Sequence, residues 1–193
     1  MPHKSEFDYV ISTGVIHHTK DPQESLSKLV ETTKDDGALS IMVYASYLRV
    51  GVYYFQDAFR YLGLKSNKEG IEIAKKLIEL TSKKHYANNY IEAITKSSGT
   101  KDLSFDAGFV DTFFNARDVS FDIFGLKRLI SNAGAYFQCW SDNSPYYREL
   151  FNFSGVERLN QIFNNLDPWE LADFTQKMSP NTGKFDFVLR KET

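Results

Sequence analysis

Two adjacent histidines, His17 and His18, follow a short apolar run and the small residues at positions 12 to 14. Imidazole titrates near neutral pH, so either ring is a candidate general base in a ligand crevice. A structural imidazole, hydrogen-bonded to backbone, is an equally good interpretation. Zinc needs three or four ligands, and neighbouring side chains on an extended segment point to opposite sides. The pair therefore predicts no metal site.

The apolar run from Phe7 to Ile11 predicts a strand that is buried on both faces of a parallel sheet. Open α/β sheets form their ligand crevice at the carboxyl ends of such strands. A glycine there lets the backbone approach a ligand closely. The first candidate binding site is therefore the tip formed by Ser12, Thr13, Gly14 and Val15.

Helix-start signals follow this tip. Asp21 is a preferred N-cap residue, Pro22 suits the first helical position, and Glu24 is placed to close a capping box. Gly37 suits the turn after the helix, and the apolar run at 39–44 predicts a second buried strand. Parallel strands joined by a helix open on the same edge of the sheet, so the two tips share one crevice.

This order of segments resembles the region from the fourth to the fifth strand of class I S-adenosylmethionine-dependent methyltransferases. The resemblance is carried by Phe-Asp-Tyr-Val-Ile-Ser-Thr-Gly-Val-Ile-His-His from position 7, then Asp-Pro, a helix, Asp-Gly and an apolar strand. It implies that S-adenosylmethionine is the cofactor. The residues that it places beside the methionine part of the cofactor are Ser12, Thr13, Gly14 and Val15, with His17 and His18 just behind.

The later chain, including 111–118 and a closing strand at 184–190, is similar to the tail of the same family. Helix starts are predicted at Asp122 and Asp167. The implied fold class is α/β: a partial Rossmann-like methyltransferase sheet, from the fourth to the seventh strand, with a helical insertion that forms a cap. The closing strand is expected to be antiparallel to its neighbours. We predict a single partial domain over 1–193, divided into a βαβ core (7–44), the cap insertion (45–121) and a C-terminal helix with closing strands and a short helical insertion (122–193).

The sequence departs from the family at its start. Only Met1 to Glu6 precede the first strand, so the family's glycine-rich loop, and the acidic residue that holds the ribose, have no counterpart. The loop brings backbone N–H groups to the ligand, and the acidic residue accepts hydroxyl hydrogen bonds. We therefore expect a fragment that is inactive alone, either truncated or encoded by a gene that lost its front half.

Two amphipathic patterns, around Phe55 and from Ile71 to Thr81, predict helices in the insertion. Insertions at this edge often determine specificity, so we expect them to cover the acceptor pocket. For Tyr44 and Tyr47, the alternative to substrate contact is that they pack helix against sheet. For Arg117, one alternative is an ion pair with a neighbouring aspartate that fixes the loop. The other is a clamp on an acceptor carboxylate or phosphate. The predicted substrate-binding residues are Tyr44, Tyr47, Asp111, Asn115 and Arg117.

Composition narrows the class of protein. The 193 residues are 42% hydrophobic, which is enough to bury a core. No run approaches the roughly 20 apolar residues of a bilayer helix. Residues 1–4 lack a signal-peptide core, so a cytoplasmic protein without a membrane partner is expected. A net charge of −2 gives no general attraction to nucleic acid, and the single cysteine excludes an internal disulfide.

Three functions follow from these observations. The first is the C-terminal portion of an S-adenosylmethionine-dependent methyltransferase that acts on a small-molecule or polypeptide acceptor. The second is a non-catalytic, methyltransferase-like binding or regulatory subunit. The third is a nucleotide-dependent oxidoreductase, but the sequence contains no phosphate-binding loop that would support it. A half sheet would also leave an exposed strand edge through which homo-oligomers can form.

Overall fold

Four strands form one mixed sheet in a computed structural model that describes residues 5–88, 106–141, 146–147, 153, 155–178 and 183–192. The chain divides into a sheet unit, residues 1–47 with 119–193, and a helical unit, residues 48–118. Each unit has its own hydrophobic core.

The sheet has the strand order β1-β2-β4-β3. β1 runs parallel to β2, whereas β4 is antiparallel to both of its neighbours, which confirms the expected closing strand. The strands are β1 (Phe7–Thr13), β2 (Thr33–Tyr44), β3 (Ala135–Trp140) and β4 (Lys184–Lys191).

Seven helices and one 3₁₀ turn (Ile16–His18) are numbered here within the described residues. They are α1 (Pro22–Thr32), α2 (Ser46–Tyr61), α3 (Lys68–Leu80), α4 (Asp106–Phe113), α5 (Ile123–Ser131), α6 (Glu157–Asn164) and α7 (Pro168–Met178).

Alternate residues of the two central strands form the core of the sheet unit. Leu39, opposite Leu189 in the register, is fully buried, and so is Val43, opposite Phe185. Because strand side chains alternate between faces, these residues share one face. Buried apolar residues of α1, α5 and α7 belong to the same core.

Side-chain caps start three helices of the sheet unit where the sequence predicts them. The Asp21 carboxylate accepts from the Glu24 N–H at 3.0 Å, and the Asp122 carboxylate accepts from the Gly125 N–H. The Asp167 carboxylate accepts from the Glu170 N–H, while the Glu170 carboxylate accepts from the Asp167 N–H. This last pair is a complete capping box, whereas the Glu24 carboxylate pairs with Lys28 instead.

The prediction that β1 is buried on both faces is wrong. Phe7, Tyr9 and Ile11 are 44%, 54% and 66% exposed, and of the strand's residues Ser12 alone is buried. Among the described residues β1 pairs with β2 and lies at the edge of the sheet. An apolar run shows that a strand can be buried; what covers it depends on the rest of the fold.

The turn predicted at Gly37 is also wrong, because β2 begins at Thr33, directly after α1. The register between β1 and β2 shifts from Phe7↔Thr33 to Tyr9↔Ala38, so residues 34–37 form an irregularity inside the strand. A Cβ on Gly37 would lie 2.7 Å from the Thr33 side chain. Glycine is therefore needed for close packing inside the bulged strand, not for a turn.

The helical unit is built on the two helices that the amphipathic patterns predict, α2 and α3, and on α4. Asn67 caps α3 by accepting from the Gly70 N–H at 2.8 Å. The buried apolar residues of this unit's core are Val52, Phe55, Phe59, Ile71, Ala74, Ala87, Phe109 and Phe113.

Candidate functional site

The tip of β1 turns at a glycine whose backbone conformation other residues rarely adopt. Gly14 has a φ of +74°, and its N–H donates to the Met42 carbonyl at 3.4 Å. Thr13 and Val15 on either side have exposed side chains, whereas Ser12 turns into the unit and is 7% exposed. Thr13, Gly14 and Val15 thus form a glycine turn with two accessible side chains at a strand end, the kind of place where ligand crevices occur in such sheets.

The two histidines lie in the 3₁₀ turn that follows. His17 is fully buried, and its ring centroid lies 3.8 Å from that of Tyr44. His18 is half-buried, with its ring 4.2 Å from that of His17 and perpendicular to Tyr44 at 5.4 Å. The expectation of an extended segment with opposed side chains is wrong, because the turn and the Tyr44 ring bring the two imidazoles together.

A later segment of the sheet unit joins the tips of β1 and β2. The Val119 N–H donates to the His17 carbonyl at 3.0 Å. The Phe121 N–H donates to the Tyr44 carbonyl, and the Ser46 N–H donates to the Phe121 carbonyl, each at 2.9 Å. Three separate stretches of sequence therefore meet at the carboxyl edge of the parallel pair.

Tyr47 is held at the start of α2 by a charged partner. Its hydroxyl donates to the Asp173 carboxylate, which also pairs with Lys177. Burial, and then the hydrogen bond to Asp173, raise the pKa of the Tyr47 hydroxyl well above its usual range. At neutral pH this hydroxyl is therefore a proton donor that is already engaged.

A cavity of about 620 Å³ lies in the sheet unit beside the starts of α1 and α5. Ser46 and Phe121, which belong to the joined strand tips, also line this cavity. Arg128 supplies its positive charge, and the carboxylates of Asp21 and Asp122 accept backbone N–H groups at the two helix starts. The cavity is large enough for a small organic ligand.

The other predicted substrate residues lie in the helical unit. Asp111 is exposed on α4. Asn115 and Arg117 follow this helix, and the Asn115 side-chain oxygen accepts from the Arg117 N–H at 3.1 Å. Of the predicted set, the structure thus brings His17, His18 and Tyr44 together, and it places Asp111, Asn115 and Arg117 in the other unit.

The charge pair of this region is Asp118 with Arg49, not with the neighbouring Arg117. Both side chains are 1% exposed. Gln56, also buried, donates to the Asp118 carboxylate at 3.2 Å and to the Thr112 carbonyl at 2.8 Å. Sequence reasoning missed this network, although an arginine three residues before Val52 on the apolar face of α2 indicates a need for a buried carboxylate.

Comparison with solved structures relates this architecture to a known protein. The structure of PKMT2 from Rickettsia typhi matches with a TM-score of 0.69 at 11% identity, over 97% of this chain and 36% of that one. The structure of the same protein in complex with AdoHcy (S-adenosylhomocysteine) matches with a TM-score of 0.69 at 10% identity. This chain shares its fold with part of PKMT2.

Sequence comparisons are less specific. No family model matches the chain. An uncharacterized protein of a Synechococcus species is 24% identical over 187 residues, which are 95% of this chain and 44% of that protein. The chain therefore spans less than half the length of that relative, and about a third of PKMT2.

Two further findings concern the described residues alone. They contain no group of three or more His, Cys, Asp or Glu side chains placed to hold a metal ion. None of their helices has the length and apolar composition that crossing a bilayer requires.

Proposed function

We propose that this chain is part of an S-adenosylmethionine-dependent methyltransferase. The observation that carries the proposal is the fold, shared over nearly the whole chain with a protein whose structure contains AdoHcy. AdoHcy is the product that remains after S-adenosylmethionine has given up its methyl group. The glycine turn at the tip of β1 supports the proposal at the level of residues.

The residues at this tip fit the methionine end of the cofactor. Gly14 adds no side chain at the turn, so the backbone at 13–15 can approach a ligand, and Thr13 and Val15 are exposed beside it. When bound, S-adenosylmethionine supplies an electrophilic methyl group. We assign Ser12, Thr13, Gly14 and Val15 to its binding.

The chain's part in the chemistry is to position the acceptor and to receive a proton. Holding donor and acceptor in line can lower the barrier of a displacement at carbon by about 7 to 11 kcal/mol. His18, which is half-buried, is the ring that can reach an acceptor oxygen or nitrogen and take its proton. His17, fully buried between His18 and Tyr44, orients that ring.

The acceptor is a small molecule or a polypeptide side chain. Within the sheet unit it would occupy the cavity beside Ser46 and Phe121, next to Tyr44. Tyr47, Asp111, Asn115 and Arg117 remain proposed acceptor contacts. We place the protein in the cytoplasm and propose that it binds neither a membrane nor nucleic acid.

Titration calorimetry with AdoHcy tests the proposal on the polypeptide encoded by the complete reading frame that contains this chain. We expect binding, and at least a tenfold loss for Gly14→Ala. Gly134→Ala is the matched control, because Gly134 has a similar φ of +69° and its Cβ would meet open space. Absence of AdoHcy binding, or an equal loss in both variants, would contradict the proposal.

A non-catalytic binding subunit is the second candidate, and the exposed apolar side chains of β1 favour it. An edge strand of this kind is a template for pairing with another strand. We propose that β1 pairs with β1 of a second copy, and that Ile11→Lys abolishes the association.

Light scattering across a concentration series measures this association. Ile73→Lys, at an exposed apolar position on α3, is the control and should leave the mass unchanged. Association without AdoHcy binding by the full polypeptide would favour the subunit, whereas a monomer at all concentrations would reject β1 pairing.

A further inference from the structure

A second cavity, of about 320 Å³, belongs entirely to the helical unit. Three aromatic rings line it. Phe59 and Phe113 are almost fully buried, with centroids 6.1 Å apart, and the ring of Phe114 stacks on Phe59 at 5.7 Å. These contacts hold the rings in one arrangement and give the cavity a preformed apolar wall.

The charged side chains of the lining are both positive. Arg60 and Lys65 line the cavity, and no carboxylate does. The Arg60 guanidinium donates to the Asp57 carboxylate at 2.7 Å and to the Gln56 side-chain oxygen at 3.2 Å. Two nitrogens of its fork are thus held by neighbours on α2, and a guanidinium has further N–H groups for a ligand.

A buried polar side chain connects this rim to the interior. Gln56 is 2% exposed and lines the cavity. Its amide group accepts from Arg60 and donates to Asp118, the partner of Arg49, and to the Thr112 carbonyl. A fully engaged side chain at this position restrains the guanidinium of Arg60 beside the aromatic wall.

We propose that this cavity binds a small aromatic carboxylate. The ring would pack against Phe59, Phe113 and Phe114, and the carboxylate would meet Arg60 and Lys65. Pockets of this kind combine an apolar lining with a few polar groups that orient the ligand. This binding activity goes beyond the proposed methyl transfer and does not depend on it.

Three probes of similar shape and different charge test the assignment on the 193-residue chain by titration calorimetry. We expect 3-phenylpropionate to bind with a Kd below about 1 mM. The neutral 3-phenylpropionamide should bind at least tenfold more weakly, and the cationic 3-phenylpropylamine should not bind measurably. Equal affinity for acid and amide, or no binding of the acid up to 10 times that concentration, would overturn the proposal.

Substitutions then locate the site. Arg60→Gln should weaken 3-phenylpropionate binding at least fivefold, because the side chain that meets the carboxylate loses its charge. Phe114→Ala should weaken acid and amide by the same factor, because both share the phenyl ring. Arg158→Gln, which changes an exposed arginine on α6, is the control and should bind as the wild type does.

Arg60 is more than half exposed, so its replacement should leave the chain folded, and circular dichroism checks this. Unchanged affinity in a folded Arg60→Gln variant would overturn the assignment. AdoHcy binding by the full polypeptide should be the same in wild type and Arg60→Gln. A failure of this site is thereby distinguishable from a failure of the proposed methyltransferase.

Discussion

Two regions of the molecule, β1 in the sheet unit and the pair of Arg49 with Asp118 in the helical unit, depart in opposite ways from the usual placement of polar and apolar side chains. The sheet unit leaves Phe7, Tyr9 and Ile11 of β1 largely exposed to water. The helical unit buries a charged pair, Arg49 with Asp118, beneath its surface. Large apolar side chains are usually covered, and fully buried charges are rare unless paired. β1 and the buried pair therefore depart from the ordinary distribution in opposite directions.

These departures have different energetic consequences. Burying apolar surface contributes about 25 cal/mol per Å² to stability. A partner that covered the exposed side chains of β1 would gain this free energy, so β1 favours association. A buried ion pair adds little net stability over apolar packing, but losing one partner is costly. We infer that the helical unit uses its charges to hold Gln56 and the aromatic wall in one geometry, whereas the sheet unit has surface available for pairing.

Removing the buried carboxylate should have the largest effect. Asp118→Ala removes the carboxylate that pairs with the buried Arg49 guanidinium, and we expect a loss of about 3 to 5 kcal/mol in the free energy of unfolding. Both tryptophans of the chain, Trp140 and Trp169, belong to the sheet unit. The loss should therefore appear in urea unfolding followed by circular dichroism, and much less when tryptophan fluorescence is followed.

The double variant Arg49→Met with Asp118→Leu tests the cause. It removes both charges, so much of the lost stability should return. A loss below 1 kcal/mol in Asp118→Ala would show that the carboxylate is dispensable and would end the contrast between the units.

The contrast within the sheet unit is tested by a pair of β-strand variants. Leu39 on β2 is fully buried, and Leu39→Ala should cost about 2 to 5 kcal/mol through lost burial and a residual cavity. Ile11→Ala on the neighbouring β1 should change the free energy of unfolding of a dilute monomer by no more than about 0.5 kcal/mol. Tryptophan fluorescence during urea unfolding measures both. A large loss for Ile11→Ala would mean that this face of β1 is covered in solution.

The sequence predicts what local chemistry determines. The caps at Asp21, Asp122 and Asp167 and the helices α2 and α3 all rest on signals within a few residues. These signals depend on backbone hydrogen bonds that a short segment makes for itself.

The sequence does not predict what distant segments determine. Whether β1 is covered depends on the neighbours of the sheet. The Arg49 to Asp118 pair joins residues 69 positions apart, while the adjacent Arg117 was the nearer candidate. The contact of His17 with Tyr44 likewise depends on a turn where an extended segment was expected. The candidate site was therefore predicted in its residues but not in its geometry.

Gly51 in α2 provides a test of how closely the helical unit is packed. Helix propensity alone predicts that Gly51→Ala stabilises by about 1 kcal/mol. A Cβ at this position would lie 2.1 Å from the Ala87 backbone nitrogen, which cannot move as a flexible side chain can. We expect the clash to dominate, with a net loss of about 1 to 2 kcal/mol in thermal or urea unfolding. Ala58→Gly, on the exposed face of the same helix, measures the propensity contribution by itself; a gain in stability for Gly51→Ala would show that the close approach is absent.

An effect smaller than that of Gly51→Ala is expected at Tyr47, where the sheet unit has its own partly buried polar pair. Tyr47→Phe removes the hydroxyl that donates to Asp173 and should cost about 1 kcal/mol at pH 7. Burial and the hydrogen bond to Asp173 raise the pKa of Tyr47 in the folded state. The contribution of the protonated hydroxyl is therefore fully present below the unfolded pKa of about 10 and is lost as the pH rises from there toward the folded value.

Urea unfolding of wild type and Tyr47→Phe between pH 7 and about pH 11 measures this loss. The difference between the two proteins should be constant up to about pH 9.5 and should then shrink. Tyr136→Phe, at an exposed position on β3, is the control and should show no such trend. A difference that stays constant through pH 11 would mean that Tyr47 ionises equally readily in both states. The hydrogen bond to Asp173 would then favour neither ionisation state of Tyr47, unlike the buried pair of Arg49 with Asp118, which depends on charge.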